Sequence, residues 1–205
     1  MRALGIDPGL VRSGWAIVEP LGGRSVVLAH GVIAPPTDAS LPARLADGAA
    51  KLRAVVAEFH PTFVALEEVF TAPQHPRSAL LMAHMRGVIC LVLEEAGIPI
   101  LPLTATTVKQ RLTSSGHASK EQVQKMVMRL TGMSSSAGMK LDETDAVALA
   151  LAGLSQTVLG DQFPIVSTRS GGAAAIRERV NELLRSSADP KRRRTTQPPA
   201  PDPHV

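Results

Sequence analysis

The amino-acid sequence predicts a mixed α/β fold of packed layers. Three short β-rich runs follow one another near the start. A helical period then takes over, and after it further β-rich runs alternate with apolar helical stretches. Such an order stacks helices against a sheet.

The runs "RALGID" and "SGWAIVE" read as strands on either side of a turn built around Pro8 and Gly9. Pro fixes φ near −65° there, and Gly is expected to supply a positive φ. "SVVLAHGVI" is a third strand, and three strands joined by short turns suggest an antiparallel meander. Leu45, Ala49, Leu52, Val56 and Phe59 then step by four and three, as one face of a helix does. "TFVALEEVF" returns to a β-rich run. Ser78–Ala96 reads as a long, almost wholly apolar helix closed by Gly97, and "IPILPL" as a fifth strand. Val123, Met126, Val127 and Leu130 mark a further amphipathic helix, and Asp142–Leu154 the last. Residues 1–158 are thus expected to form the folded domain. Residues 159–205 carry a basic run and a Pro-rich end, a composition that favours disorder.

Bulk properties exclude several classes. The single cysteine, Cys90, rules out a disulfide framework and a cysteine-based zinc site, and reads as a small core hydrophobe. No stretch reaches the roughly 18 apolar residues of a membrane span, which favours a soluble, intracellular protein. The net charge of +4 is unevenly spread. From Arg169 onward there are 8 basic and 4 acidic residues, so the rest of the chain is neutral. Within that rest, Lys109, Arg111, Lys120, Lys125, Arg129 and Lys140 face only Glu121 between positions 104 and 140. Segregated charge of this kind suits a phosphate-binding face beside an acidic pocket.

The acids are the candidates for that pocket. Asp7 ends the first strand, next to the Pro-Gly turn. Glu67 and Glu68 lie in "VALEEVF" and must point to opposite sheet faces, so one of them sits in an apolar surround. Asp142 and Asp145 are three apart on a helix and share a face, whereas Glu143 is turned about 100° from Asp142. Ordinary helix-start charge would explain such acids one at a time. Gathered together they repel unless a divalent ion binds, and carboxylate oxygens suit Mg²⁺ or Mn²⁺. Asp7, one of the two glutamates, Asp142 and Asp145 have the make-up to hold two such ions, the apparatus of phosphodiester hydrolysis.

These segments resemble the RuvC family of bacterial Holliday-junction resolvases, in the ribonuclease H-like superfamily. The resemblance runs over roughly residues 2–157. It rests on "LGIDPGL", "LPARL", "ALEEVF", "SALLMAHMRG", "TVKQRLTSSGHASKEQVQKMV" and "DETDAVALALA". It implies a five-stranded mixed sheet, three antiparallel strands and two parallel ones, flanked by helices. It implies four catalytic, metal-binding acids at Asp7, Glu67, Asp142 and Asp145, and so selects Glu67 over Glu68. It also implies two Mg²⁺ or Mn²⁺ ions per site, a homodimer in the bacterial cytoplasm, four-way junction DNA as substrate, and a branch-migration complex (RuvA, RuvB) as partner. Phe70, Lys109, Lys120 and Gln124 match DNA-contacting positions. The chain departs from the family at Ala83-His84, in the loop "TAPQHPRSAL" and in "LTSSGHASK".

Two other readings compete. "GIDPG" resembles the phosphate loop of sugar-kinase and actin-like ATPases, but the chain has neither their length nor their second glycine-rich loop. A non-catalytic junction- or RNA-binding relative of the resolvases is the other, and it would have no use for four carboxylates facing phosphates.

Overall fold

The computed structural model describes residues 1–68, 76–133 and 139–158. The strands are β1 (Ala3–Asp7), β2 (Ser13–Leu21), β3 (Arg24–Ile33), β4 (Phe63–Glu67) and β5 (Ile100–Leu103). The helices are α1 (Leu41–Phe59), α2 (Pro76–Glu95), α3 (Ala105–Thr113), α4 (Lys120–Thr131) and α5 (Leu141–Val158). The five strands form one sheet in the order β3-β2-β1-β4-β5. β1 and β3 each pair antiparallel with β2, while β4 runs parallel to both β1 and β5.

Strand alternation divides the core in two. Leu4, Ile6, Ile17, Val64 and Leu66 point to one face, where they meet Leu52 and Val55 of α1 and Met85, Ile89 and Leu93 of α2. Ala3, Ala16, Val18, Phe63 and Ala65 point to the other face, under α5, and α3 and α4 complete that layer. Every residue of α5 from Ala146 to Leu154 is buried. A helix apolar all round must be covered on all sides. Here the sheet covers one side of α5, and α3 and α4 cover another.

Three glycines let α5 lie directly on the sheet. A Cβ on Gly5 would stand 2.0 Å from the Ala146 carbonyl oxygen, and one on Gly14 would stand 1.9 Å from that of Asp142. On the helix itself, a Cβ on Gly153 would press on Phe63 and Ala65. Glycine is needed at the first two positions for close approach of backbones, not for a special φ.

Several expectations need correction. Gly9 does not adopt a positive φ. A Cβ there would sit 2.2 Å from the Arg12 carbonyl oxygen, so the glycine serves a tight loop, which Ser13 Oγ clamps through both the N–H and the carbonyl of Gly9. β4 ends at Glu67 and leaves Glu68 outside the strand, while Val69 and Phe70 of the β-rich run lie outside the described residues. α3 adds a helix to the expected elements, since its nine residues show too little apolar period to mark one. The Thr104 side chain caps it by accepting the Thr107 N–H. Leu130 is exposed rather than on the packed face of α4. Gly97, by contrast, closes α2 with φ of 67° as expected of a helix-ending glycine, and Cys90 is half-buried against the α1–α2 core.

Candidate active site

The parallel pairing of β1 with β4 aligns Ala3 with Phe63 and Ile6 with Leu66. The same register carries Asp7 to the level of Glu67, at the C-terminal edge of both strands. Because Gly5 and Ala65 face α5, the residues two further along, Asp7 and Glu67, face it too, and Glu68 is turned away. Strand register thus distinguishes the two glutamates, which spacing alone left open.

α5 delivers the other two acids. Asp7 pairs with Gly14 across β1 and β2, and Gly14 is the residue on which the Asp142 backbone rests. The first turn of α5 therefore lies over the end of β1. Asp145, one turn on from Asp142, lies on the same side. Asp7 feels all three partners. Burial, a hydrogen bond with the Glu67 side chain, and the charges of Glu67, Asp145 and Asp142 push its carboxyl up to about 8. Excess negative charge is gathered at one point, and a proton partly relieves it.

Two cations of the chain relieve it further. Lys120, at the first position of α4, places Nζ 3.0 Å from an Asp145 oxygen, which with the nearby Asp7 and Asp142 raises its affinity for the proton. Arg12, from the β1–β2 turn, donates to an Asp142 oxygen at 2.5 Å. Nothing in the spacing of the sequence had singled out Arg12. Its one signal was its place in the turn that follows Asp7.

Glu143 behaves differently from its neighbours. It accepts the Lys140 N–H at 2.7 Å, closing the start of α5 from its third position, and it lies 3.5 Å from His30 of β3. Its charge serves the helix start. Gln124 lies half-buried one turn after Lys120 on α4, on nearly the same face. Lys109 is half-buried on α3, and among the described residues no ion pair joins it to the four acids. Phe70 lies outside the described residues.

Whether a metal suits this place can be judged from its donors. Among the described residues no three acidic, histidine or cysteine side chains are drawn closely enough to form a ready cage. An oxygen of Asp142 is engaged by Arg12 and one of Asp145 by Lys120. The donor set is entirely carboxylate, as hard divalent cations require. Four acids face only two cations. The residues fit such an ion chemically: Asp7, Glu67, Asp142 and Asp145 would hold it through carboxylate oxygens.

A sheet of this order, with acids collected where β1, β4 and the start of α5 meet, defines a ribonuclease H-like nuclease core. The model of the family "Crossover junction endodeoxyribonuclease RuvC" matches residues 3–153, and the chain belongs to that family. It is 37% identical over 179 residues to the RuvC of Bordetella avium, a match covering 87% of this chain and 97% of the relative. It is 40% identical over 151 residues to that of Trichlorobacter lovleyi, covering 74% and 83%. Thermus thermophilus RuvC in complex with a Holliday junction superposes with a TM-score of 0.74 at 30% identity, covering 80% of this chain and 99% of that one. The yeast mitochondrial resolvase Ydc2 shares the fold at 16% identity, with a TM-score of 0.57. The family comprises metal-dependent nucleases, and the chain is an enzyme of that kind. No helix among the described residues is long and apolar enough to cross a membrane.

Proposed function

We propose that the chain resolves four-way DNA junctions by paired, symmetric nicks, with Asp7, Glu67, Asp142 and Asp145 as metal-binding catalytic acids. The observation that carries this reading is the convergence of the four carboxylates on Asp7, strong enough to hold a proton on it near neutral pH. Two Mg²⁺ or Mn²⁺ ions, when bound, supply a water that ionises readily and a Lewis acid for the leaving oxygen. The chain's own residues do the rest. β1 and β4 hold Asp7 and Glu67 rigidly, and α5 brings its two acids down onto them. Lys120 places a positive charge at the rim, where a phosphate backbone approaches. Phe70, Lys109 and Gln124 are assigned to DNA contacts through their match to the family's motifs. The tail from residue 159 adds nonspecific affinity through its basic run, and a branch-migration complex is the expected partner of the resolvase.

Synthetic junctions test this directly. With Mg²⁺ or Mn²⁺ a denaturing gel is expected to show two nicks at symmetric positions, and with EDTA binding without nicks. Binding without nicking under every ion would instead leave a non-catalytic junction binder.

Paired nicks call for two sites related by a two-fold axis. α2 offers the face for such pairing. Leu80, His84, Gly87 and Leu91 recur at spacings of four, three and four and are all exposed, with Leu80 62% and Leu91 56% accessible. Gly87 has no neighbour within 4 Å of where a Cβ would stand. Large apolar side chains repeated on one helix face mark an interaction surface. The double variant Leu80→Glu/Leu91→Glu is expected to run as a monomer in light scattering while its melting temperature changes little. An unaltered dimer mass would remove this face from consideration.

A further inference from the structure

Among the described residues the Arg12 side chain has no partner in the apolar core, and yet it is held on a rigid support. Gly9 packs against its carbonyl. Ser13 clamps the turn, and Arg44 of α1 donates to the Leu10 carbonyl at 3.0 Å. The guanidinium emerges from this braced turn and spans to Asp142, 130 residues away in sequence. The side chains of the pair are 41% and 34% exposed. An ion pair so open to water contributes little, so a divalent ion competing for the Asp142 oxygens displaces it easily. Val11 and Leu141, the residues just before the two partners, are 53% and 60% exposed. The pair therefore sits on an open rim with apolar shoulders rather than in a closed interface. Arg is the side chain best shaped to take a phosphate in two parallel hydrogen bonds.

We propose that Arg12 is a phosphate-binding residue for the junction backbone, held in reserve by Asp142 and released when a divalent ion takes that carboxylate. The inference rests on the assignment of Asp142 as a metal ligand and deepens it. Before the ion arrives, Arg12 offsets part of the carboxylates' repulsion. Once freed, its charge lies one side chain away from the acids, where the strand to be cut must pass. Ion binding and DNA binding then support each other, because each takes one member of the pair. Lys120 with Asp145 has the same form, but its amine belongs to the cleavage site already assigned, whereas Arg12 has been given no role.

The test compares the full-length wild type with Arg12→Gln and Arg12→Lys. Without DNA, calorimetric titration with Ca²⁺, an oxygen-seeking ion of flexible geometry, is expected to show about three-fold tighter binding by Arg12→Gln, since the competing cation is gone. With junction DNA and Ca²⁺, the slope of log affinity against log salt is expected to be shallower by about 0.9 per protomer for Arg12→Gln, one phosphate contact. Arg12→Lys is expected to retain the wild-type slope. In EDTA the difference in slope is expected to be smaller than with Ca²⁺, because Asp142 then competes with the phosphate for Arg12. Equal Ca²⁺ affinity and equal slopes throughout would overturn the proposal. So would a slope lost equally with and without Ca²⁺, which would make Arg12 an ungated contact. A wild type that takes up neither Ca²⁺ nor junction would instead overturn the active-site assignment beneath it.

Discussion

Asp7→Asn is expected to abolish junction cleavage, to leave junction binding intact, and to raise the melting temperature of the metal-free protein at pH 7. The three effects share one origin. Burial and the three neighbouring acids push the Asp7 carboxyl up to about 8, from an ordinary value of 3.8. Between those values the native state holds a proton that the unfolded chain has released. Stability of the metal-free protein therefore falls as pH rises from about 4 to about 8, and the loss is complete above the folded value. At pH 7 the penalty is on the order of a few kcal/mol. A neutral amide of the same shape removes it, which for a chain of this size corresponds to a rise of roughly 5–10 °C.

The same replacement removes a ligand oxygen and its charge from the proposed metal site. Losing several kcal/mol of charge stabilisation lowers the rate by at least about 10³-fold. Calorimetry in EDTA across pH 5 to 8.5 should show the wild-type curve descending and the variant's flat by comparison. Mg²⁺ should raise the wild-type melting temperature most at the alkaline end and the variant's little. Nicking at the wild-type rate by Asp7→Asn would end the assignment of Asp7 to catalysis.

Much of the geometry of this site is legible in the sequence, and the illegible parts have physical reasons. The β-runs and the helical periods gave the element order because each buries a continuous apolar face, and the pattern of such faces is local. Asp142 and Asp145 separate from Glu143 by helix geometry alone. The choice between Glu67 and Glu68 is different in kind. It depends on which face of β4 meets α5, a matter of register between segments 60 residues apart in sequence. Arg12 is hidden for the same reason, since its partner lies 130 residues away in sequence. α3 escaped notice because nine residues rich in Thr show too little period, and its cap is a single hydroxyl. At Gly9 the Pro-Gly turn signal points to a positive φ that the residue does not adopt. Its neighbour in space, not its φ, excludes a side chain.

Gly14→Ala should cost activity out of proportion to stability. Its Cβ would stand 1.9 Å from the Asp142 carbonyl oxygen, which is backbone and cannot rotate away. Either β2 or the first turn of α5 must move by more than 1 Å or so to restore ordinary contact. Overpacking of this kind costs about 1–3 kcal/mol, a fall of roughly 3–10 °C at this chain length. The movement falls on the turn that holds Asp142 and leads to Asp145, so the four acids no longer meet. Misplacing a reacting group by about 1 Å is enough to lower a rate 10²-fold. Gly153→Ala makes the comparison decisive. Its Cβ would press on the Phe63 ring and the Ala65 methyl, at the opposite end of α5 from the acids. There the better helix propensity of Ala, about 1 kcal/mol, offsets part of the crowding. Assayed at a temperature where both variants remain folded by circular dichroism, Gly14→Ala should cleave junctions at least about 100-fold more slowly than wild type. Gly153→Ala should stay within a few-fold of it. Equal losses in the two would mean that α5 acts as one rigid body, and that no local contact at Gly14 sets the position of Asp142.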